Sequence, residues 1–343
     1  MLTGGEKDCA TESSPFKGEK ELVRTYKAHK DRIFDLSFNR SGDQILTASG
    51  DTHVLVWDVA KDCALAGDLK GHSEIIEKIA CHPSDSNLVL SASADKLIKL
   101  WDLRTKNAVR SEKTKGHNLN IVWKPDGSSF ASYMKDQSAA FFDNNKPGIS
   151  STLKLDHLSL KDGTVLNGVG LSDISWDATG NIFLATTNDK DHSMILFDAR
   201  KIESPAEMSI TLHAGNCYHI AIDPSGKLLA TGGLDNLITL VNSTEFVPMK
   251  CITQLNTQVH QMNFSHDGQY LAVASDQTAV HLFDSRSGDL LHTLDTPGTQ
   301  YSVSWHPTKH VLAYGGEEKQ NKSDKTVEGS FRVIGLGKDH NLN

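Results

Sequence analysis

One stretch of this chain, residues 71–102, sets a pattern that the remaining sequence repeats. It opens with Gly71-His72 and closes with Trp101-Asp102. Between these pairs lie three short segments, Ile76–Cys81, Leu88–Ser93 and 97–101. Apolar and polar residues nearly alternate in each segment, which is typical of half-buried β-strands. The stretch therefore predicts an antiparallel three-stranded unit that recurs along the chain.

The opening Gly-His and the closing Trp-Asp, at this separation, are the signature of a WD40 repeat. Similar segments, with an Asp six residues before the closing aromatic at Asp51, Asp95 and Asp136, extend the pattern. The repeats end at positions 58, 102, 143, 198, 242, 284 and about 334. Most intervals fit the usual spacing of about 40–45 residues. The sequence therefore predicts an all-β fold, a seven-bladed WD40 β-propeller.

Two of the intervals are longer than the rest because of insertions at 144–170 and 317–329. Residues 1–19 mix charged residues with Ser and Gly, so we expect a disordered N-terminal segment. The propeller is expected over 20–337, followed by a C-terminal tail at 338–343. Segment 21–26 resembles an outer strand but follows no Trp-Asp of its own. We therefore expect it to complete the last blade and close the ring, which removes exposed strand edges.

Four residue types of the template can form one hydrogen-bonded chain inside the blade. These are His72, Ser91 or Ser93, Asp95 and Trp101, and we favour Ser93 as the serine. Asp95 would fix the imidazole of His72, the imidazole would reach the hydroxyl, and the hydroxyl would accept from the indole N–H of Trp101. Losing one member would leave a buried orphan at a cost of about 1–3 kcal/mol. We interpret this set as structural, since the repeat itself explains the His and the Asp.

Composition excludes several classes of protein. The 343 residues carry a net charge of −8, which argues against a broad nucleic-acid-binding surface. No run of 18 apolar residues predicts a transmembrane helix, and the N-terminus has no secretory signal. The five cysteines are scattered without a C-x-x-C pair, which favours a reducing compartment.

No motif of an enzyme is present: the sequence has no G-x-S-x-G, no Walker loop and no H-E-x-x-H. Of the 16 histidines, four fall at blade starts and two precede prolines in turns: His29, His72, His117, His213, His82 and His306. Pro307 argues against a helix that would pair His306 with His310. We therefore predict no catalytic residues, no cofactor and no metal site. An enzyme or a small-ligand binder that used the central channel would need a convergent polar pocket.

The segment Trp101-Asp102-Leu103-Arg104 resembles the docking box of WD40 substrate receptors for cullin ubiquitin ligases. Arg104 would then contact the ligase adaptor. The alternative is that Arg104 pairs locally with an acid at the end of its blade. The substrate-receptor function is kept as the alternative to the function that follows.

Several blocks are similar to the WD40 subunits of the THO complex. They are TKGHNLNIVWKPDG (114–127), GNCYHIAIDPSGKLLATGG (215–233), NFSHDGQYLAVAS (263–275) and the last blade from position 303 to 336. The resemblance is strongest in blades three and five to seven. Blade four and the insertion before it depart from the pattern.

This resemblance implies a non-enzymatic scaffold of the THO core within the TREX assembly, which couples transcription to mRNA packaging and export. Nuclear localisation, docking on large helical THO subunits and indirect association with mRNA follow from it, with no membrane and no small-molecule substrate. Aromatic residues near blade tops are candidate anchors for partners, although such residues more often belong to the core: Phe34, Tyr133, Tyr218 and Tyr301.

Overall fold

Seven four-stranded antiparallel sheets make up the computed structural model, which describes residues 23–154, 158–166, 169–188, 193–318 and 327–335. The predicted all-β, seven-bladed propeller is confirmed. The segments predicted as a disordered N-terminus and a C-terminal tail lie outside the described residues. Among the described residues, no helix has the length and apolar character needed to cross a membrane.

The strands follow the chain, blade by blade. A first strand, β1 (Arg24–His29), precedes blade one. Blade one consists of β2 (Ile33–Phe38), β3 (Gln44–Ser49), β4 (Val54–Asp58) and β5 (Ala64–Leu69). Blade two consists of β6 (Ile76–Cys81), β7 (Leu88–Ser93), β8 (Leu97–Asp102) and β9 (Asn107–Lys113). Blade three consists of β10 (Asn118–Trp123), β11 (Ser129–Met134), β12 (Ser138–Asp143) and β13 (Ile149–Lys154). A 3₁₀ turn at Val59–Lys61 joins β4 to β5.

A two-stranded hairpin, β14 (Leu158–Ser159) and β15 (Val165–Leu166), separates blades three and four. Blade four consists of β16 (Leu171–Trp176), β17 (Ile182–Thr187), β18 (Met194–Asp198) and β19 (Met208–Ile210), and blade five of β20 (Cys217–Ile222), β21 (Leu228–Gly233), β22 (Ile238–Asn242) and β23 (Val247–Ile252). Blade six consists of β24 (Val259–Phe264), β25 (Tyr270–Ser275), β26 (Ala279–Asp284) and β27 (Leu290–Asp295). Blade seven contains β28 (Gln300–Trp305), β29 (Val311–Glu318) and β30 (Glu328–Gly335).

The first strand of each blade lies innermost and contacts the first strands of the neighbouring blades, with β28 beside β2. The second strands are buried along almost their whole length, because both of their faces pack against adjacent blades. This explains why they are rich in small and apolar residues with little alternation. The core is accordingly divided into clusters between blades. One example joins Ile33 and Trp57 of blade one to Phe331 of blade seven.

The last blade is assembled from both ends of the chain. Strand β1 pairs antiparallel with β30, so that Arg24 lies opposite Val333 and Tyr26 opposite Phe331. The sheet order is β1-β30-β29-β28. Strand β1 occupies the outer position expected for segment 21–26, although it runs from Arg24 to His29, and it covers an edge of β30 that would otherwise be open.

The insertion at 144–170 contains regular structure that the sequence did not predict. Part of it is β13, the outer strand of blade three, and part is the hairpin of β14 and β15. Leu158 and Leu160 are buried against Ile202 and Ala206 beside blade four. Leu160 also forms an isolated bridge with Ala206. The hairpin is therefore anchored by apolar contacts. Of the second insertion, 319–326 lie outside the described residues.

The closing strand gives a test of the ring. The ring of Tyr26 stacks on Phe331 at 4.9 Å between centroids, and its hydroxyl donates to Asp62 at 3.0 Å. Tyr26→Ala should lower the free energy of unfolding by about 2 kcal/mol, since it removes half-buried aromatic contact. Thr25→Ala, on the exposed face of the same strand, should stay within about 0.5 kcal/mol. Urea denaturation measures both, and equal effects would contradict the assigned role of β1.

Candidate interaction site

A β-bulge at the start of every innermost strand aims one side chain at the mouth of the central channel. In blade one, Ile33 pairs with Ser49 and Asp35 with Ala48, so Phe34 is skipped. The pairing shifts at the same position in the other six blades. Bulges of this kind redirect side chains. We call the seven skipped residues the mouth ring: Phe34, Glu77, Leu119, Ser172, Tyr218, His260 and Tyr301.

The mouth ring surrounds a cavity of about 270 Å³. All four aromatic residues singled out in the sequence line it. Phe34, Tyr218 and Tyr301 are half-buried there. Tyr133, which comes from the second strand of blade three, is more deeply buried, with 7% of its surface exposed. The sequence analysis named these four residues as candidate anchors near the blade tops, and the structure shows that they line one cavity.

One side of the mouth is a cluster of rings. Tyr301 lies 6.2 Å from Phe34 and 5.1 Å from His260 between ring centroids. The guanidinium of Arg32 stands 5.9 Å from the centre of the Tyr301 ring, within the range of a cation–π contact. The hydroxyl of Tyr301 donates to Glu317 at 3.3 Å. This side therefore presents an apolar surface that carries a charged rim.

Next to this cluster, blade two contributes a carboxylate to the mouth. The carboxylate of Glu77 contacts Nε2 of His117 at 2.9 Å. Burial raises the pKa of Glu77, and the interaction with His117 opposes that rise. His117 was expected to act as a blade-start histidine and to bind the turn residue Asp136. The carboxylate of Asp136 instead accepts a hydrogen bond from the hydroxyl of Ser138 at 2.6 Å. The imidazole of His117 is therefore paired with Glu77, which lines the cavity.

Directly below the mouth, the third residues of the innermost strands form a polar layer. Its main acceptor is Asp35, which is 1% exposed. The carboxylate accepts hydrogen bonds from Lys78 Nζ at 3.0 Å and from the backbone N–H of Ile79 at 2.9 Å, both in blade two. It also accepts from Gln261 in blade six at 3.2 Å and from Ser302 in blade seven at 2.9 Å. One buried carboxylate thus joins four blades.

A second carboxylate joins the other three blades. Asp173 of blade four accepts from Asn120 of blade three and, at 2.9 Å, from the backbone N–H of Ile220 in blade five. Burial raises the pKa of Asp173 to about 6, against the effect of these donors. Nearby, burial and the charge of Lys78 lower the pKa of His219 to about 3. The Nδ1 atom of His219 is buried and has no hydrogen-bond partner among the described residues.

The hydrogen-bonded chain inside blade two uses a different serine from the one predicted. His72 Nδ1 contacts Asp95 at 2.8 Å, and His72 Nε2 contacts the hydroxyl of Ser91 at 2.6 Å. The indole of Trp101 donates to the same hydroxyl at 2.8 Å. The choice of Ser93 was therefore wrong. Ser93 lies on the same face, but one alternation of roughly 7 Å further along the strand, beyond reach of the indole.

Ser93 has another role, at the turn. Its hydroxyl donates to the backbone carbonyl of Glu74 at 3.2 Å and accepts from the N–H of Asp95 at 3.2 Å. Burial lowers the pKa of His72 in spite of the adjacent carboxylate, which favours a neutral ring. With Nδ1–H donating to Asp95, Nε2 is left as the acceptor for the hydroxyl of Ser91.

The same arrangement recurs where the sequence provides its members. In blade one, Nδ1 of His29 contacts Asp51 at 2.9 Å, its Nε2 contacts Thr47 at 2.8 Å, and the indole of Trp57 donates to Thr47 at 3.0 Å. Blade five keeps the first three members but closes with Val241 in place of tryptophan. In blade four, the turn Asp191 lies outside the described residues. The network is therefore a repeated element of the fold.

Arg104 forms the local pair that was weighed against docking. Its Nε and Nη2 donate to the two carboxylate oxygens of Asp102 at 3.1 and 2.7 Å. These bonds lower the pKa of Asp102 to about 2. Arg200 holds Asp198 in the same way, at 3.0 Å for each bond. The Arg104 side chain is nevertheless 68% exposed, so its outer face is accessible.

The corrected network predicts that replacing Ser91 and replacing Ser93 by alanine lower the free energy of unfolding by different amounts. Ser91→Ala should lower the free energy of unfolding by about 1–3 kcal/mol, because it leaves buried groups of His72 and Trp101 without a partner. Ser93→Ala should cost less, because the groups it frees lie at a turn that water reaches. Chemical denaturation of the two variants checks this order. A larger loss for Ser93→Ala would contradict the assignment.

The depressed pKa of His219 predicts an acid-sensitive channel. Between pH 6.5 and 3 the unfolded chain binds a proton at this position that the folded chain excludes, so stability falls as the pH falls. From pH 7 to 5, the wild-type protein should lose roughly 1–2 kcal/mol more than His219→Gln. His53→Gln, at a more exposed site, serves as the control. Equal pH profiles for the wild type and His219→Gln would refute this prediction.

Comparison with known families places the repeat. The model described as "WD domain, G-beta repeat" matches residues 20–58, which contain β1 to β4, and residues 63–102, which contain β5 to β8. A model described as "Eukaryotic translation initiation factor eIF2A" matches residues 155–282. Each match covers less than half of the chain.

Similarity to individual proteins extends further. THO complex subunit 3 of Arabidopsis thaliana is 29% identical over 329 residues, which cover 94% of this chain and 97% of that protein. Protein TEX1 of Saccharomyces cerevisiae is 24% identical over 327 residues, covering 90% and 74%. The crystal structure of the Myceliophteria thermophila Cps50 (Swd1) β-propeller domain covers 90% of this chain and 99% of that one, with 20% identity and a TM-score of 0.76. That likeness concerns the fold alone. The chain is therefore a seven-bladed propeller in which residues 20–58 and 63–102 match WD40 repeats, and it is similar over nearly its whole length to THO complex subunit 3 of Arabidopsis thaliana.

Proposed function

We propose that this protein is a non-enzymatic scaffold subunit of a THO/TREX-type complex in the nucleus. The observation that carries the proposal is the similarity to THO complex subunit 3, which covers 94% of this chain and 97% of that protein. The similarity to TEX1 supports the same assignment. In this role the propeller joins the transcription machinery to mRNA packaging and export through contacts with proteins.

The mouth ring suits a docking role. A bulged residue is not held by backbone pairing, so its side chain can face a partner while the adjacent strand stays fixed. Phe34, Tyr218 and Tyr301 offer half-buried rings on a rigid support, and aromatic residues dominate the energy of many interfaces. We propose that large helical THO subunits contact the propeller here. Association with mRNA would then be indirect, through these partners, in keeping with the net charge of −8.

A test of this role replaces two rings of the mouth. Tyr218→Ala combined with Tyr301→Ala should reduce the recovery of large THO subunits from nuclear extract about tenfold, since central aromatic anchors carry much of the binding energy. Quantitative mass spectrometry of a tagged pull-down at high salt measures this. Met249→Ala, with a side chain on an outer strand of blade five, is the control. Thermal denaturation must show that the double variant is folded.

The same experiment separates two ways in which the proposal can fail. If the folded double variant recovers THO subunits as well as the wild type does, the docking face lies elsewhere. If the wild-type protein recovers a cullin adaptor and no THO subunit, the alternative function, a ubiquitin-ligase substrate receptor, replaces the scaffold. In that case Arg104→Ala should lose the adaptor, because its exposed guanidinium face would no longer be available.

A further inference from the structure

Two turns lie next to each other, one in blade six and one in blade seven, the blade that closes the ring. His266 and Asp267 belong to the turn between β24 and β25 of blade six, and His310 precedes β29 of blade seven. Nε2 of His310 lies 2.9 Å from Oδ2 of Asp267. The two imidazole rings are 4.7 Å apart between centroids, tilted by 49°. The packing of the two blades thus brings together two imidazoles and one carboxylate, although Asp267 and His310 are 43 residues apart along the chain.

The donor atoms of these three residues lie within 4.8 Å of one another. Ligands of a tetrahedral Zn²⁺ ion, each about 2.0–2.2 Å from the metal, are separated by roughly 3.3 Å. Small side-chain rotations would therefore bring all three into a single coordination shell. The combination of two His and one carboxylate leaves a fourth position for water, as in zinc sites with three protein ligands.

A second observation concerns His266. Its Nδ1 atom is buried and has no hydrogen-bond partner among the described residues. A buried polar atom of this kind calls for an explanation, such as an ion. If Nδ1 is the ligand atom, coordination satisfies it directly. If Nε2 coordinates instead, Nδ1 takes the outer position, which usually donates to water or a carbonyl.

The carboxylate is already oriented for this purpose. Oδ1 of Asp267 accepts from the hydroxyl of Ser265 at 2.6 Å and from the N–H of Gln269 at 3.1 Å, while Oδ2 faces His310. Burial opposes ionisation of Asp267, but these hydrogen bonds and His310 outweigh it and keep its pKa below the ordinary value. Outer contacts that fix a ligand in this way strengthen metal sites.

Aromatic neighbours hold the imidazole of His310. Its ring lies 5.3 Å from that of Tyr270 and 6.4 Å from that of Trp305, both in edge-on geometry. Tyr270 begins the second strand of blade six, and Trp305 ends the first strand of blade seven. The two blades therefore already pack around this position, so metal binding would require little rearrangement.

We propose that His266, Asp267 and His310 form a Zn²⁺ site that links blade six to blade seven. The sequence analysis predicted no metal site, because these residues have no metal-ligand spacing along the chain. Bound Zn²⁺ would replace the direct contact between His310 and Asp267 with two coordinate bonds. It would fasten the closing blade to its neighbour and make the stability of the ring depend on the metal.

Equilibrium dialysis of untagged protein against Zn²⁺, followed by atomic absorption, tests the site. The wild type should bind one equivalent, and saturating Zn²⁺ should raise its Tm by about 2–4 °C. His310→Gln and Asp267→Asn should each bind at least tenfold more weakly and lose most of this rise. Asp267→Asn retains an oxygen that can accept from Gln269, so it preserves the turn if His310→Gln disturbs folding.

The matched control is His53→Gln. His53 contacts Asp68 at 2.8 Å on the surface of blade one, and this His–Asp pair is not part of a three-ligand group among the described residues. His53→Gln should bind Zn²⁺ as the wild type does. The proposal is overturned if the wild type binds no Zn²⁺ at micromolar concentration, or if the site variants bind as tightly as His53→Gln. In the second case Asp267 and His310 form only an ion pair.

Discussion

Two buried carboxylates hold the seven blades in register around the channel. Asp35 connects blades one, two, six and seven, and Asp173 connects blades three, four and five. A buried carboxylate is stable only when donors surround it. Each of these has donors from both neighbouring blades, so neither can be satisfied until the blades are correctly arranged. The polar layer therefore favours this arrangement of the blades over others in which the two carboxylates would lack donors.

The mouth ring follows from this layer. The third residue of each innermost strand turns inwards to the polar layer, and the bulge that allows it releases the second residue from backbone pairing. The third residue of each strand thus contributes to the polar layer, and the second residue faces the mouth of the channel. The third position is constrained by hydrogen bonds between blades. The second is not constrained in this way, and it carries an aromatic ring, an aliphatic chain, a hydroxyl, a carboxylate or an imidazole in different blades.

Features that depend on local spacing could be predicted from the sequence, and features that depend on contacts between blades could not. The ends of the repeats, the pairing of His72 with Asp95 and the local pairing of Arg104 all follow from patterns of a few residues. Choosing between Ser91 and Ser93 required the distance to Trp101 across two strands, which alternation alone leaves open. The anchoring of the hairpin β14–β15 beside Ala206, the donors around Asp35 and the contact of His266 with His310 result from packing between segments that are distant along the chain. No local signal could have revealed them.

The pairing of β1 with β30 also determines the order in which the molecule can be completed during synthesis. Strand β1 leaves the ribosome long before its partner β30 is made, so Arg24 can pair with Val333 only after the other six blades have been synthesised. Throughout elongation the growing array has two open ends and an unpaired first strand. Non-local pairing of this kind is slow and exposes strand edges in the meantime. A ring that is joined in this way closes only after β30 has been synthesised, and a chain that stops short of blade seven cannot become a closed ring.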